Sequence, residues 1–373
     1  MKIKNANIWT KEHGFIPGGI SFGDTIEQVG AVSGADAIDA EGMYLIPGFV
    51  DVHVHGALGH DFSDASAEGN EIIARRLVQH GVTSCLHTTM TVSEEQMVEI
   101  AKTVDCDNRD PNRSGCVGIH LEGPFLSYRK RGAQHPDHLH AADFPLYCKV
   151  SEISGGNVRL VAVAPEIEGG MEFIRMAHEE TTVSLAHTCA EYDLAMEAFR
   201  EGANHVTHLF NGMDSFLHRA PGVVGAAMDS GAYAELICDG LHVHPSVVRA
   251  AFKMFPGRIV LISDAVQSAG MADGNYLLGG LAITMKDGRT TLADGTLAGS
   301  NITLLDALRN AVSFGISLEE AVEAATLRPA VSVRVDHLVG SLEPGKRADF
   351  LLLDKELNLH SVYHFGQAVT LSK

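Results

Sequence analysis

Residues 45–55 read LIPGFVDVHVH, an apolar run that ends in two histidines instead of a turn. A short run rich in β-branched residues is a strand candidate, and alternate residues of a strand share a face. His53 and His55 can therefore point the same way and meet one ion. Taken alone, the pair would fit a hydrogen-bonded histidine couple equally well.

Outward from this stretch the same kind of run recurs seven times: TSCLHTTM (83–90), CVGIHLEG (116–123), VRLVAVAPE (158–166), TVSLAHT (182–188), HVTHLFN (205–211), AELICDGLH (234–242) and RIVLISDA (258–265). Helical patterns separate most of them. Ser93 to Gln96 reads as a capping box, followed by Met97, Ile100, Ala101 and Val104 at helical spacing. Pro245 suits the first turn of a helix carrying Val247, Val248, Ala251 and Phe252. Ser317 to Glu320 reads as a second box, opening a late helix. Eight strands alternating with helices predict a parallel (β/α)8 barrel. The connection between the third and fourth runs carries no clear pattern.

The flanks differ. Residues 1–44 are short apolar stretches broken by glycines, and RADFLLLD (347–354) resumes that character, so one small β module from both termini is expected beside the barrel. Residues 276–297 also read as short strands, with Asp287-Gly288 and Asp294-Gly295 as turns, and fit either part.

The 373-residue length suits a barrel of ~250 residues plus a smaller module. A composition of 45% hydrophobic and 20% charged residues supports a large core. The formal net charge of -19 argues against a nucleic-acid partner, but leaves room for a small anion held by a local cluster of donors. Six scattered cysteines without a C-x-x-C, a polar N-terminus and no apolar run near ~20 residues point to a cytoplasmic protein with reduced thiols, off the membrane.

Polar residues mark where the chemistry sits. Barrel active sites form at the C-terminal ends of the strands. Here those ends carry His53-Val54-His55, His120-Leu121-Glu122, Ala186-His187, Thr207-His208 and Ser263-Asp264. Each histidine singly could be a satisfied core residue, and Glu122 singly a loop ion pair. Together, unpaired, they would be costly to bury, whereas a divalent cation takes neutral imidazole and carboxylate as ligands. Asp264 is placed to take a proton from cation-activated water and give it to a departing amine. It could instead be an N-cap or another ligand.

The segments VDVHVHG (50–56), GIHLEGPF (118–125), LAHT (185–188), THLFNGM (207–213), ICDGLHVHP (237–245), ISDA (262–265) and DGTLAGS (294–300), spread over most of the chain, resemble the N-acetylglucosamine-6-phosphate deacetylases, a branch of the amidohydrolase superfamily. The resemblance implies a distorted (β/α)8 TIM barrel at 47–335, a small β-sandwich from 1–46 and 336–373, and a homodimer. It implies hydrolysis of N-acetyl-D-glucosamine 6-phosphate to D-glucosamine 6-phosphate and acetate, in amino-sugar catabolism. Glu122, His187 and His208 would hold the main metal, and Asp264 would carry the proton. His53 and His55 would add a second site present in some members, giving one or two divalent ions, with zinc ahead of iron, manganese or cobalt. Many relatives bridge two metals with a modified lysine on strand four. Neither the third nor the fourth run has a lysine, which leaves Glu122 as the bridge.

On the substrate side the resemblance carries over Ala133, Asn211, Gly212, Arg219, Asp239, Gly240, Leu241, His242, Leu297, Ala298 and Gly299. Arg219 and His242 are its phosphate candidates, part of that contact crossing between subunits. Three positions depart from the common pattern: Gln134 replaces a histidine of some relatives, Ala220 a glutamate and Gly212 an alanine. The same motifs fit the galactosamine epimer. Cyclic-amide hydrolysis is disfavoured by the missing lysine, and a sugar-phosphate sensor without turnover by the intact Asp264.

Overall fold

The computed structural model describes residues 1–371. All eight runs form strands: β1 (Phe49–Asp51), β2 (Val82–Thr89), β3 (Gly115–Leu121), β4 (Val158–Val163), β5 (Thr182–Leu185), β6 (His205–Val206), β7 (Tyr233–Ile237) and β8 (Ile259–Ile262). They pair in sequence order, every pair parallel, into one eight-stranded sheet. Almost every residue on them is buried, as expected of a parallel sheet covered by helices. The sheet is a nearly closed (β/α)8 barrel. Its seam lies between β8 and β1, and is joined just past the strand ends, where Asp264 N donates to His53 O at 2.9 Å and His55 N to Ala265 O at 2.8 Å.

The helices arise where the periodicity placed them. Glu94–Lys102 buries Met97, Ile100 and Ala101, and Pro245 opens Pro245–Met254. Ser93 and Ser317 do cap their helices through the amides of Gln96 and Glu320. The reciprocal half of each box is not made. Gln96 Nε2 instead donates to Ser63 O at 2.7 Å, and Glu320 faces Arg328. A complete box forms elsewhere, at Thr303 and Asp306 before Leu304–Ser313. The unpatterned connection after β3 holds two 3-10 turns, Tyr128–Lys130 and Pro136–His138, before helix Phe144–Ile153.

Residues 45–55 serve two sheets. Tyr44–Pro47 pairs with Phe350–Leu353 in a second sheet, and the chain enters the barrel two residues later at Phe49. Gly48 makes that passage possible, because a Cβ there would meet Thr83 Oγ1 at 2.1 Å. The second sheet runs Gln367–Ala368, Leu359–His364, Phe350–Leu353, Tyr44–Pro47, Lys2–Thr10, Gly14–Phe22, Ile26–Gly30, so both termini build it. It covers its own core of Ile3, Ile20, Phe22, Leu45, Phe350 and Tyr363, and a bridge from Thr25 to Arg347 ties the start of its edge strand Ile26–Gly30 to the segment leading into Phe350–Leu353.

Residues 274–291 form a separate antiparallel sheet of Gly274–Leu278, Leu281–Lys286 and Arg289–Thr291, with Asp287-Gly288 turning at positive φ. It packs on the barrel, not on the terminal sheet: Leu278 and Ile283 join the barrel core, and Leu278 reaches the cavity described next. All six cysteines are free. No helix among the described residues is long and apolar enough to cross a membrane.

Candidate metal centre

The site residues stand one or two positions beyond their strands: His53 after β1, Glu122 after β3, His187 after β5, His208 after β6 and Asp264 after β8. There the chain has left the extended conformation. His187, His208 and Asp264 have φ of 44°, 28° and 49°. Left-handed backbone at a non-glycine residue costs of order 1–3 kcal/mol and persists only where its surroundings enforce it. All five groups are buried at one rim.

Two sets of ligand atoms converge. Nδ1 of His187 faces Lys130 O at 2.7 Å, and Nδ1 of His208 faces Asn211 O at 3.1 Å. A carbonyl only accepts, so Nδ1 carries the proton in each ring and a neutral ring offers a lone pair at Nε2. Those two Nε2 atoms are 3.1 Å apart and lie 3.3 and 2.9 Å from Glu122 Oε1. In the second set, Nε2 of His53 and His55 are 3.1 Å apart, with Asp264 Oδ1 at 3.5 and 3.4 Å. Glu122 reaches this set too, its Oε2 lying 3.2 Å from His55 Nε2. Acceptors pointed at one another without a donor repel unless a cation or extra protons lie between them. The ligand atoms of Glu122, His187 and His208 all fall within 4.8 Å of one another, as do those of His53, His55 and Asp264. Imidazole with carboxylate, in this number, fits a divalent ion of the zinc type.

The electrostatics agree. Burial pulls His55 down, but hydrogen bonds with Asp264 and Glu122 outweigh it and lift it to about 9. His53 and His208 are raised in the same way, by carboxylates prevailing over burial. Burial pushes Glu122 up, yet the His53 charge and the bonds with His187 and His208 hold it well below the usual carboxylate range. Asp264 is lowered, the imidazoles of His53 and His55 prevailing over burial. The site thus keeps its acids ionised and attracts positive charge.

A cavity of about 300 Å³ opens onto both sets, at the lower end of the size of small-ligand pockets. Ala133, Asn211, Gly212, His242, Leu297 and Gly299 line it beside the metal ligands. His242 is held by Asp239, whose Oδ2 accepts from Nδ1 at 2.7 Å. Asn211 spends its side-chain amide locally, donating to His208 O and Leu209 O at 3.2 Å, and its own carbonyl fixes His208. Gly212 presses on His187: its φ is 62°, and a Cβ would come 2.9 Å from His187 Nδ1.

Other expected contacts lie outside the cavity. Arg219 sits at the tip of an exposed turn closed by Leu217 N to Ala220 O, which carries it away from the cavity lining. Leu241 is exposed, Ala298 is buried behind the wall, and neither Asp239 nor Gly240 reaches the lining. Gln134, expected near the sugar, is a structural brace as well. Its Nε2 donates to Glu122 Oε2 and its Oε1 accepts from Thr91 N, both at 2.7 Å. Sequence reasoning missed Glu235, which is wholly buried on β7 and touches His53. The signal was present: a lone acid inside the apolar run AELI (234–237).

The amidohydrolase family model matches residues 44–370. The chain belongs to the amidohydrolase family. This amidohydrolase is 37% identical over 346 residues to a bovine protein named N-acetylglucosamine-6-phosphate deacetylase, covering 89% of this chain and 84% of that one. It is also 37% identical over 334 residues to an N-acetylgalactosamine-6-phosphate deacetylase of Escherichia coli O157:H7, covering 88% of each. Among solved structures, an N-acetyl-D-glucosamine-6-phosphate deacetylase of Mycobacterium smegmatis, an aspartate-to-alanine mutant in complex with N-acetyl-D-glucosamine 6-phosphate, superposes with a TM-score of 0.92 at 30% identity, over 99% of each chain.

Proposed function

We propose that this amidohydrolase removes the acetyl group from N-acetyl-D-glucosamine 6-phosphate, releasing D-glucosamine 6-phosphate and acetate. The observation that carries the reading is the convergence of Glu122 Oε1 with the Nε2 atoms of His187 and His208 at the floor of a cavity that also holds Asp264. Glu122, His187 and His208 would hold the main divalent ion, zinc being the first choice, and His53 with His55 a second. Bound there, the ion supplies Lewis acidity, which polarises the amide carbonyl and makes water nucleophilic near neutral pH.

The chain's own groups do the rest. Asp264 Oδ1 lies beside His53 and His55 with its carboxylate ionised, so it takes a proton from water as the oxygen adds to the acetamide carbon. The same carboxyl returns that proton to the sugar nitrogen as the C–N bond breaks, and the water's other proton, left on the acid, passes to the amine, giving acetate and the ammonium form of the product. Gln134 keeps Glu122 in place. His242 lines the cavity and is oriented by Asp239, so its other ring nitrogen would be offered to the phosphate end of the substrate. Arg219 would meet the phosphate of a ligand in a second copy, which makes a homodimer the working unit.

The test is acetate release from N-acetyl-D-glucosamine 6-phosphate, before and after chelation and after returning zinc. Release that vanishes on chelation and returns with the metal supports the reading, and no release from the metal-loaded chain overturns it. The galactosamine epimer is a second reading, favoured by the equal identity to the Escherichia coli relative. Parallel kcat/KM values on both epimers decide between them.

A further inference from the structure

Three of the four site histidines have a partner at Nδ1, and the partners differ. His187 and His208 face backbone carbonyls, whereas His53 Nδ1 faces a carboxylate, Glu235 Oε2, at 2.8 Å. Glu235 is 0% exposed on β7, beneath the rim. The same Oε2 accepts the backbone N–H of His208 at 3.0 Å, at the residue whose φ is 28°. Oε1 has no hydrogen-bond partner and lies 3.9 Å from His205 Nδ1. No lysine or arginine pairs with Glu235 among the described residues. A buried acid of this kind is costly unless its partners need it.

We propose that Glu235 is a positioning residue for the second cation subsite and ties it to the first. A carboxylate at Nδ1 fixes the His53 tautomer with its proton on Nδ1, so the Nε2 lone pair faces His55 and Asp264. It also makes that ring a stronger donor than one held by a carbonyl. Through the His208 amide the same oxygen helps hold the strained turn that aims a ligand of the first subsite. One side chain thus registers both sets from behind. The inference rests on the reading that His53 and His55 hold a second ion. Losing a partner of this kind typically weakens a metal site by about 10–100-fold.

The experiment is zinc uptake by the full chain at controlled free metal, read by elemental analysis and calorimetry, for the native protein, Glu235→Gln and His53→Asn. The proposal expects two equivalents in the native protein. In Glu235→Gln the weaker equivalent should fall about 10–100-fold in affinity, the tighter one should fall less because an amide oxygen still accepts the His208 N–H, and the metal-free melting temperature should stay close to native. Two equivalents of unchanged affinity in Glu235→Gln overturn the proposal and leave the two-ion reading standing. A single equivalent in the native chain, unchanged by His53→Asn, overturns both. If Glu235→Gln does not fold, nitrogen-15 histidine spectra of the native metal-loaded protein decide: a proton on His53 Nδ1 is expected, and one on Nε2 overturns the proposal.

Discussion

Replacing Asp264 by asparagine removes the proton carrier while leaving Glu122, His187 and His208, the first set of ligands, intact. The backbone around Asp264 is fixed by bonds that the substitution leaves alone, Asp264 N to His53 O at 2.9 Å and Ser300 N to Asp264 O at 2.7 Å. Its φ of 49° is one that asparagine tolerates, so the new side chain should occupy the same place. Glu122, His187 and His208 do not depend on it, and the main cation should stay. What disappears is a group that can accept and donate a proton. Such a group contributes roughly 10²–10⁴-fold, or about 2.7–5.4 kcal/mol at about 1.36 kcal/mol per tenfold. Asp264 would serve both transfers, and its side chain is only 10% exposed, so bulk water is a poor substitute. The upper half of that range is therefore expected, a loss of about 10³-fold or more in kcat. The assay is acetate release beside metal analysis and a thermal melt. Turnover above a tenth of native, with the main cation retained and melting unchanged, would refute the role of Asp264.

Other perturbations read separate parts of the structure. Gln134→Leu leaves Glu122 Oε2 without its charge-assisted donor, worth about 1.5–3 kcal/mol, so zinc affinity should drop measurably by calorimetry; an unchanged affinity contradicts the bracing role. Phe350→Ala removes a ring packed edge-on against Phe22 at 4.9 Å, costing about 3–5 kcal/mol, yet metal uptake by the surviving folded fraction should be native. Burial pushes Cys85 and Cys238 up to about 12, so at pH 8 only about one in 10⁴ of these thiols is the reactive thiolate. Mass spectrometry should find both unalkylated until the chain is unfolded, with Cys106, lowered by its contact with Cys116, modified first.

The barrel was legible because a buried parallel strand has few ways to look other than a short β-branched run, and eight such runs alternated with helical spacing. The five polar groups at its rim were legible for the opposite reason, since each interrupts an apolar run where a core residue would be expected. Legibility ended where conformation depends on partners distant in sequence. The segment after β3 has no period of its own, because Gln134 is placed by Thr91 and Glu122. Glu235 was passed over inside AELI because its contact exists only once β7 lies across from His53, 182 residues earlier. Residues 276–297 fitted either neighbour until Leu278 was seen against the cavity. The contacts assigned to Arg219 and Leu241 had only the resemblance behind them, and both side chains are exposed in the single chain.

Crystals of the zinc-loaded protein, with diffraction collected on either side of the zinc absorption edge, address the shared ion itself. An anomalous peak about 2.0–2.2 Å from Glu122 Oε1, His187 Nε2 and His208 Nε2 together is the result this account requires. Fully loaded crystals with no peak there, or with those three side chains turned to separate partners, would contradict it.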